Sequence, residues 1–230
     1  MSEQIFQARI TAVSGQPVQR ILLEIAPGPA CAYSFEAGQY LQIIGPDNTL
    51  IPMSIASAPQ RLPELELHYR STPGLPEAAL MDALLSEGES LNITSATGEV
   101  RSGAVGQPLL IIAGGSGAAQ AFSCIEHRDS TTQAAPTTLL WCADHPEDVY
   151  ATAALSRYAS LALKICIDDK RTADNEGLTW LRVHADDYRD AYVLIAGSPG
   201  FVYAATDVLL EAGFKDSQLH ADVYAYAPRS

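Results

Sequence analysis

The first part of the chain alternates short apolar runs with polar or turn-forming residues. Between Ile5 and Leu91 these runs are rich in aliphatic and aromatic side chains, which predicts β-strands. One stretch, 76–86, instead has leucines on one helical face and begins with proline, which predicts a helix that ends before Gly88. Short strands at close spacing indicate an antiparallel β-barrel or sandwich. The predicted strands are 6–13, 18–25, 39–44, 53–56, 65–69 and 90–94, with turns at Gly15, 27–29, 45–48 and Pro59.

The second part follows a different rhythm. Between Thr97 and Pro108 glycine, serine, glutamine and proline dominate without periodicity, which predicts a boundary between two domains, 1–102 and 103–230. Beyond it, wholly apolar runs that suit buried strands alternate with helical patterns. Such alternation indicates βαβ units, and hence a doubly wound α/β domain with a mostly parallel sheet. The predicted strands are 109–113, 138–142, 163–167, 192–196 and 221–225, and the predicted helices are 118–127, 149–158, 179–183 and 201–212.

Two glycine-rich turns follow buried strands in this second part. The stretch 109–120, LLIIAGGSGAAQ, places three glycines between a strand and a helix start, and 192–200, YVLIAGSPG, repeats the pattern. Glycine permits positive φ and close backbone approach, and a helix start offers free N–H groups, so the first turn suits a phosphate. Both turns can face one crevice at the carboxyl edge of a parallel sheet, which predicts a dinucleotide site. The first turn lacks the third glycine of the dinucleotide fingerprint, and such turns also serve packing alone.

Composition and charge narrow the classes of partner. The 230 residues are 47% hydrophobic and 18% charged, which is typical of a globular chain. The formal net charge of −13 disfavours nucleic acid and anionic membrane surfaces as partners, and no apolar run approaches the roughly 18 residues of a membrane span. The histidines show no metal-ligand spacing. Four widely separated cysteines indicate reduced thiols and a cytoplasmic location: Cys31, Cys124, Cys142 and Cys166.

Four stretches carry a resemblance to a known family. They are 35–40 (FEAGQY), 51–57 (IPMSIAS), 109–117 (LLIIAGGSG) and 192–200 (YVLIAGSPG), and the end HADVYAYAP looks like the family's closing strand. In these motifs, and in the order of a barrel before a dinucleotide-type domain, the chain resembles the ferredoxin–NADP reductase superfamily. Within it, the chain is similar to the short NAD(P)H:flavin oxidoreductases, which include the luciferase-associated flavin reductases. The resemblance implies a flavin on the barrel and NAD(P)H on the α/β domain.

The resemblance implies flavin-binding residues in two strands of the barrel. Residues 51–54 correspond to the family's Arg-x-Tyr/Phe-Ser motif, so Ser54 is expected as the catalytic residue beside the reactive N5 edge of the flavin. Its hydroxyl could instead only cap a strand end. The strand around His68 is expected to offer backbone groups to the polar edge of the ring. The implied flavin-binding residues are Pro52, Met53, Ser54, Leu67, His68 and Tyr69.

The flavin motif departs from the family at two positions. Ile51 stands where the family has arginine, and isoleucine cannot pair with a phosphate or with the polar edge of the ring. Met53 stands where the family has an aromatic residue and can lie against a flat ring less rigidly. We therefore expect FAD, FMN or riboflavin to bind loosely and to act as a dissociating substrate. On the same grounds, Ile51→Arg is expected to tighten flavin binding if this position faces the cofactor.

The nicotinamide dinucleotide is expected over the two glycine turns. Asp144, after the strand 138–142, falls where ribose-reading residues often lie, and no Lys or Arg stands between Trp141 and Tyr150. A carboxylate there repels a 2′-phosphate, which predicts NADH over NADPH. The alternative role of Asp144 is to cap a helix before Pro146, and Lys170 or Arg171 are other candidates for a base. The implied dinucleotide-binding residues are Gly114, Gly115, Ser116, Gly117, Ala118, Asp144, Gly197, Ser198 and Pro199.

Three functions fit these expectations. The first is an oxidoreductase that passes hydride from NAD(P)H to a flavin, both small-molecule partners. The second is a non-catalytic relative that binds one nucleotide or none and uses the fold as an interaction surface, which the residues at 51 and 53 favour. The third is an electron-transfer reductase that serves a separate iron–sulfur or oxygenase protein. The chain lacks the cysteine spacing for a cluster of its own.

Overall fold

The computed structural model describes residues 4–26, 32–130, 135–170 and 174–229. These residues form one antiparallel and one parallel sheet, which confirms the predicted fold class. The predicted turn at 27–29, Cys31 and Arg171 lie outside the described residues. The predicted division into 1–102 and 103–230 stays a prediction.

The antiparallel sheet curls toward a barrel. Its strands are β1 (Ile5–Ser14), β2 (Val18–Ile25), β3 (Tyr40–Ile44), β4 (Leu50–Ser54), β5 (Glu64–Arg70) and β6 (Ser90–Thr94), and helix α1 (Pro76–Glu87) joins β5 to β6. Their order in the sheet is β4-β3-β6-β1-β2-β5. The edge strands β4 and β5 meet at a bridge between Ile55 and Leu67, but the described residues form no continuous ladder there. The predicted barrel is therefore barrel-like without being closed.

Alternation of side chains fills the inside of this curl. Ile21 and Leu23 on β2, and Leu41 and Ile43 on β3, are completely buried, whereas their neighbours along each strand face outward. A period of two is what a strand with one covered face requires. The outward faces of β3, β4 and β5 are thus free to contact the second half of the chain.

The parallel sheet has five strands. They are β7 (Leu109–Gly114), β8 (Thr137–Ala143), β9 (Leu161–Ile167), β10 (Tyr192–Ala196) and β11 (Leu219–His220), in the order β11-β10-β7-β8-β9. The helices are α2 (Ala118–Asp129), α3 (Thr152–Leu155), α4 (Glu176–His184), α5 (Pro199–Glu211) and α6 (Val223–Tyr226). Alternate residues of β7 pack into different apolar clusters, so the sheet is covered on both faces. None of the described helices combines the length and apolar character that crossing a bilayer requires.

Two predicted elements of this half are wrong. The helix expected at 149–158 is reduced to α3, because Ala151 adopts a left-handed conformation with φ of 51° and the Tyr150 ring packs against Phe122 and Trp141. The strand expected at 221–225 is also absent: the sheet ends at His220, and α6 follows. The chain leaves the sheet edge where Asp222 is held by the side chain of Gln120. Tertiary contacts override the local pattern in both places.

Candidate active site

The order of the parallel strands reverses between β7 and β10. The chain runs from β7 outward to β8 and β9, then returns to β10 on the other side of β7. In open α/β sheets, ligands bind in the crevice beyond the carboxyl ends of the strands at such a reversal. Both glycine turns lie at this point, since Gly114 ends β7 and Gly197 follows β10.

The two glycine turns touch each other through their backbones. A Cβ on Gly117 would lie 2.7 Å from the Gly197 nitrogen and 2.8 Å from the Ala196 carbonyl carbon, distances that real Cβ atoms do not reach. A Cβ on Gly114 would similarly lie 2.7 Å from the Phe201 ring. Gly117 is therefore required for the close approach of the two turns, and Gly114 for the packing of Phe201 on α5 against the end of β7.

Gly115 differs from the neighbouring glycines because it faces open space. Its φ is +54°, and a Cβ there would meet nothing within 4 Å. The Trp141 indole N–H donates to the Gly115 carbonyl oxygen at 3.0 Å and fixes the other side of the turn. Ala118, which begins α2, is completely buried among apolar residues. The turn thus presents open backbone at Gly115, while the predicted site residue Ala118 offers no side chain to a ligand.

A cleft of about 660 Å³ separates the glycine turns from the barrel. This volume falls within the range of roughly 300–1,000 Å³ that small-molecule sites occupy. The barrel wall consists of Tyr40, Gln42, Leu50, Pro52, Met53, Ser54 and His68. The opposite wall consists of Gly114, Ser116, Gly117, Ala119, Gln120, Ile195, Ala196, Gly197 and Ser198, and Asp222, Val223 and Tyr226 complete the lining. No Lys or Arg lies among these described residues.

The cleft brings together nine of the predicted site residues, but not all. The nine are Pro52, Met53, Ser54, His68, Gly114, Ser116, Gly117, Gly197 and Ser198. Leu67 and Tyr69 pack inside the barrel, because they alternate with His68 along β5. The Tyr69 hydroxyl instead donates to the Ala78 carbonyl oxygen at 3.0 Å. Gly115, Ala118, Asp144 and Pro199 also lie outside the lining.

The flavin motif on β4 is oriented differently from what its alignment suggests. Ile51 and Met53 are only 6% and 8% exposed and belong to the barrel core, whereas Leu50, 42% exposed, faces outward with Pro52. Met53 still reaches the cleft lining, but Ile51 does not. Ile51→Arg is expected to tighten flavin binding only if this position faces the cofactor, and the strand alternation instead turns the Ile51 side chain into the core.

His68 links the cleft to a buried polar network. Its Nδ1 lies 2.8 Å from the Tyr150 hydroxyl and its Nε2 lies 3.0 Å from Glu66 Oε1. Burial lowers the pKa of His68, although Glu66 acts in the opposite direction, so the imidazole is neutral at pH 7. Nε2–H then donates to Glu66, and Nδ1 accepts from Tyr150, whose pKa is raised by burial. Both ring nitrogens thus have hydrogen-bond partners, so His68 does not offer a free base to the cleft.

Glu66 is the charged centre of this network. Desolvation disfavours its ionised form, but hydrogen bonds from His68, Arg20 and Arg61 outweigh burial and hold the pKa of Glu66 well below its usual range. The Arg20 and Arg61 contacts measure 2.5 and 2.9 Å. On the same face of β5, Arg70 pairs with the buried Asp148 of the parallel-sheet half. This face of β5 therefore joins the two halves beside the cleft.

Comparison with known proteins finds reductases that are similar to this chain in sequence or in fold. The chain is 28% identical over 204 residues to reductase component 2 of terephthalate 1,2-dioxygenase from a Comamonas species, covering 84% of this chain and 60% of the relative. It is 27% identical over 226 residues to the NAD(P)H-flavin reductase of Vibrio harveyi, covering 92% of this chain and 95% of that protein. The ferredoxin–NADP⁺ reductase of Plasmodium falciparum has the same fold, with a TM-score of 0.77 at 12% identity over 94% of this chain and 95% of that one. The chain is therefore similar in sequence to these reductases and shares the ferredoxin–NADP reductase-like fold.

The chain spans 60% of the length of the terephthalate dioxygenase component that it matches. No family model matches it. Its cleft fits a flat conjugated ring, because Tyr40, Leu50 and Pro52 form an apolar wall beside the Ser54 hydroxyl. The open backbone at Gly115 fits a dinucleotide phosphate near the opposite wall.

Asp222 lines the cleft, although the sequence analysis did not single it out. Burial raises the pKa of its carboxyl, and hydrogen bonds from Gln120 and from the backbone of Glu99 and Val100 only partly offset this effect. The Gln120 Nε2–H donates to Asp222 Oδ2 at 2.8 Å. The one available signal was an aspartate within the apolar run HADVYAYAP, which the strand prediction absorbed.

Proposed function

We propose that this chain is an NAD(P)H:flavin oxidoreductase, in which hydride passes from a dinucleotide over the glycine turns to a flavin on the barrel wall. The observation that carries the proposal is the single cleft in which the β7 and β10 turns face Ser54 and His68. The match to an NAD(P)H-flavin reductase over nearly its whole length supports it. A bound flavin would supply the redox chemistry.

The residues of the chain orient the reactants and manage protons. Ser54 places a hydroxyl at the end of β4, where it can donate to or accept from the edge of a ring. Asp222 is the sole carboxyl group among the described lining residues, and its raised pKa allows Oδ1 or Oδ2 to hold a proton closer to neutral pH. Gln120 keeps that carboxyl in place through its 2.8 Å contact. Among the catalytic assignments, Ser54 carries the hydrogen bond to the ring, and Asp222 is the proton reservoir.

The flavin is a loosely held, dissociating substrate. No Lys or Arg lies among the described cleft residues, so nothing there pairs with a flavin phosphate. Affinity then comes from the ring against Tyr40, Leu50 and Pro52, and riboflavin, FMN and FAD are expected to bind within about tenfold of one another. Purified protein should be largely colourless and should take up any of the three reversibly.

The preferred dinucleotide is NADH. Asp144 follows Ala143, the last residue of β8, at the carboxyl edge where the adenosine end of a dinucleotide reaches. Lys170 is engaged by Asp168 and Asp174 at 4.0 and 3.8 Å. We expect kcat/KM to favour NADH over NADPH, and Asp144→Ser to reduce the ratio; equal or reversed wild-type values would refute this preference.

The decisive test of the proposed function is NADH oxidation, measured at its near-ultraviolet absorbance, with riboflavin as acceptor. Ser54→Ala should lower kcat at least tenfold while the riboflavin dissociation constant changes little, because the hydroxyl acts on the reacting edge rather than on ring stacking. Ser86→Ala, on the exposed face of α1 where the hydroxyl bonds to Ala83, is the matched control. Wild-type protein that binds no flavin, or binds it without oxidising NADH, would instead support the non-catalytic role.

A second function rests on the dioxygenase relatives. The chain is 28% identical to a terephthalate dioxygenase reductase component over 60% of that protein. In this second function, the chain supplies electrons to a separate acceptor protein rather than releasing reduced flavin. This alternative predicts that a partner protein accelerates NADH oxidation at substoichiometric flavin. Free riboflavin alone should sustain full turnover if the chain is a flavin reductase.

A further inference from the structure

A second cavity lies between the barrel and the helices, away from the cleft. It has a volume of about 320 Å³ and shares no lining residue with the cleft. Arg20, Arg61 and Arg157 surround it together with Glu66 and Glu126, and we call it the arginine pocket. Its position, between β2 and the helices α2 and α3, separates it from both glycine turns.

The arginine pocket has an excess of positive charge in an acidic chain. Three of the 14 Lys and Arg residues of a protein with net charge −13 meet there, against two carboxylates. Glu66 is already saturated, since Arg20, Arg61 and His68 contact it at 2.5, 2.9 and 3.0 Å. A pocket of one net positive charge, with one carboxylate fully used, attracts an anion.

Glu126 is close to Arg61 and Arg157 but accepts no hydrogen bond from either guanidinium. It lies 3.8 Å from Arg61 and 3.6 Å from Arg157, beyond hydrogen-bond distance of both, while its Oε2 accepts the Ala58 N–H at 2.8 Å. Each guanidinium has five N–H donors in a planar fork that suits a carboxylate. Arg61 Nη1 already donates to Glu66, and Arg157 Nη2 donates to the Tyr158 hydroxyl at 2.5 Å. The remaining N–H groups of Arg61 and Arg157 can hold a second, external carboxylate between them.

The remaining wall of the arginine pocket is apolar. Phe122 and Tyr158 contribute aromatic rings, and Leu22, Ala56 and Ala154 contribute aliphatic surface. An inorganic anion would leave this apolar surface exposed to water, whereas a flat aromatic group would bury it. The Arg157 guanidinium lies over the Tyr158 ring, 4.8 Å from its centroid, so Phe122 offers the aromatic surface of this wall. We propose that the arginine pocket binds a small aromatic carboxylate, with the carboxylate between Arg61 and Arg157 and the ring against Phe122 and Leu22.

Calorimetric titration of the full chain with benzoate tests this site, with benzamide as the uncharged comparison. Benzoate should bind at least tenfold more tightly than benzamide, because charge-assisted hydrogen bonds to a carboxylate differ from neutral ones by about that factor. Arg157→Gln should weaken benzoate about tenfold or more; this side chain is 61% exposed and does not contact Glu66, so folding is retained. Glu126→Gln keeps the acceptor for Ala58 but removes a competing charge, and should tighten benzoate.

Weaker benzoate binding in Arg157→Gln together with tighter binding in Glu126→Gln would locate the ligand in the arginine pocket. Arg9→Gln, in an exposed ion pair with Glu24 on the outer barrel, is the control and should leave benzoate affinity unchanged. Absence of benzoate binding, equal affinity for benzamide, or unchanged affinity in both Arg157→Gln and Glu126→Gln would each overturn the proposal. Neither Arg157 nor Glu126 lines the cleft, so the outcome is independent of flavin reductase activity.

Discussion

Replacing Glu66 by glutamine tests the charged network beside the cleft. The substitution keeps the shape of a buried side chain but leaves Arg20 and Arg61 without their carboxylate partner. Removing one member of a buried ion pair costs about 3–5 kcal/mol, and partial exposure of both arginines reduces this to about 2–3 kcal/mol of unfolding free energy. Urea denaturation at pH 7 measures the loss. Glu64→Gln, on the same strand but with a side chain that is 69% exposed, should cost less than about 0.5 kcal/mol.

The same comparison predicts a pH dependence with a defined sign. The native pKa of Glu66 is lowered, so its ionisation stabilises the fold fully above the unfolded pKa of about 4.3 and progressively less as pH falls below it. Between pH 5 and about pH 3.5, the advantage of wild type over Glu66→Gln should shrink by about 1 kcal/mol. A difference that stays constant over this range, or a loss below 0.5 kcal/mol at pH 7, would refute the electrostatic reasoning.

Three further substitutions probe the cleft and the barrel strand beside it. Gly115→Asp should abolish dinucleotide binding, measured by calorimetry, because the new carboxylate repels the phosphates. Gly106→Asp is the control, since Gly106 also has a positive φ and open space but lies away from the cleft, and it should leave binding unchanged. Unchanged binding in a folded Gly115→Asp protein would show that the glycine turn is not part of the site. Ile51→Arg should lower the unfolding free energy by several kcal/mol without tightening flavin, because it buries a charge in the barrel core. Leu50→Arg, on the outward side, should tighten FMN relative to riboflavin, and equal gains for both flavins would contradict a phosphate contact.

The fold was largely predictable because its signals are local. Wholly apolar runs identified β7 and β10, and period-two alternation identified β2, since burial on two faces or on one face dictates each pattern. The two glycine turns could be paired in advance because parallel strands end at a common edge. The incomplete closure between β4 and β5 could not be predicted, because no local pattern encodes whether two edge strands meet along their length.

The candidate site was less predictable because its contacts are distant in sequence. Asp222 and Gln120 are 102 positions apart, and the Tyr150 contact with His68 spans 82, so neither pairing has a local signature. Aligning a motif also fixes residue order but not the side of the strand. Ile51 therefore matched a cofactor-binding position in sequence while its side chain lies in the barrel core.

The contact between Gly117 and Gly197 determines where cofactor preference can be altered by laboratory evolution. Each backbone occupies the space that a side chain on the other turn would need, so a single substitution at Gly117 cannot be rescued by a change at position 197. Random libraries that vary both positions will consist mainly of unfolded variants. Diversity belongs instead at Ser116, and at Leu50 and Pro52 across from it, because Gly115 has open space but a φ of +54° that disfavours most side chains. A constrained position of this crevice, Gly117, and a position open to variation, Ser116, are thus adjacent in the chain.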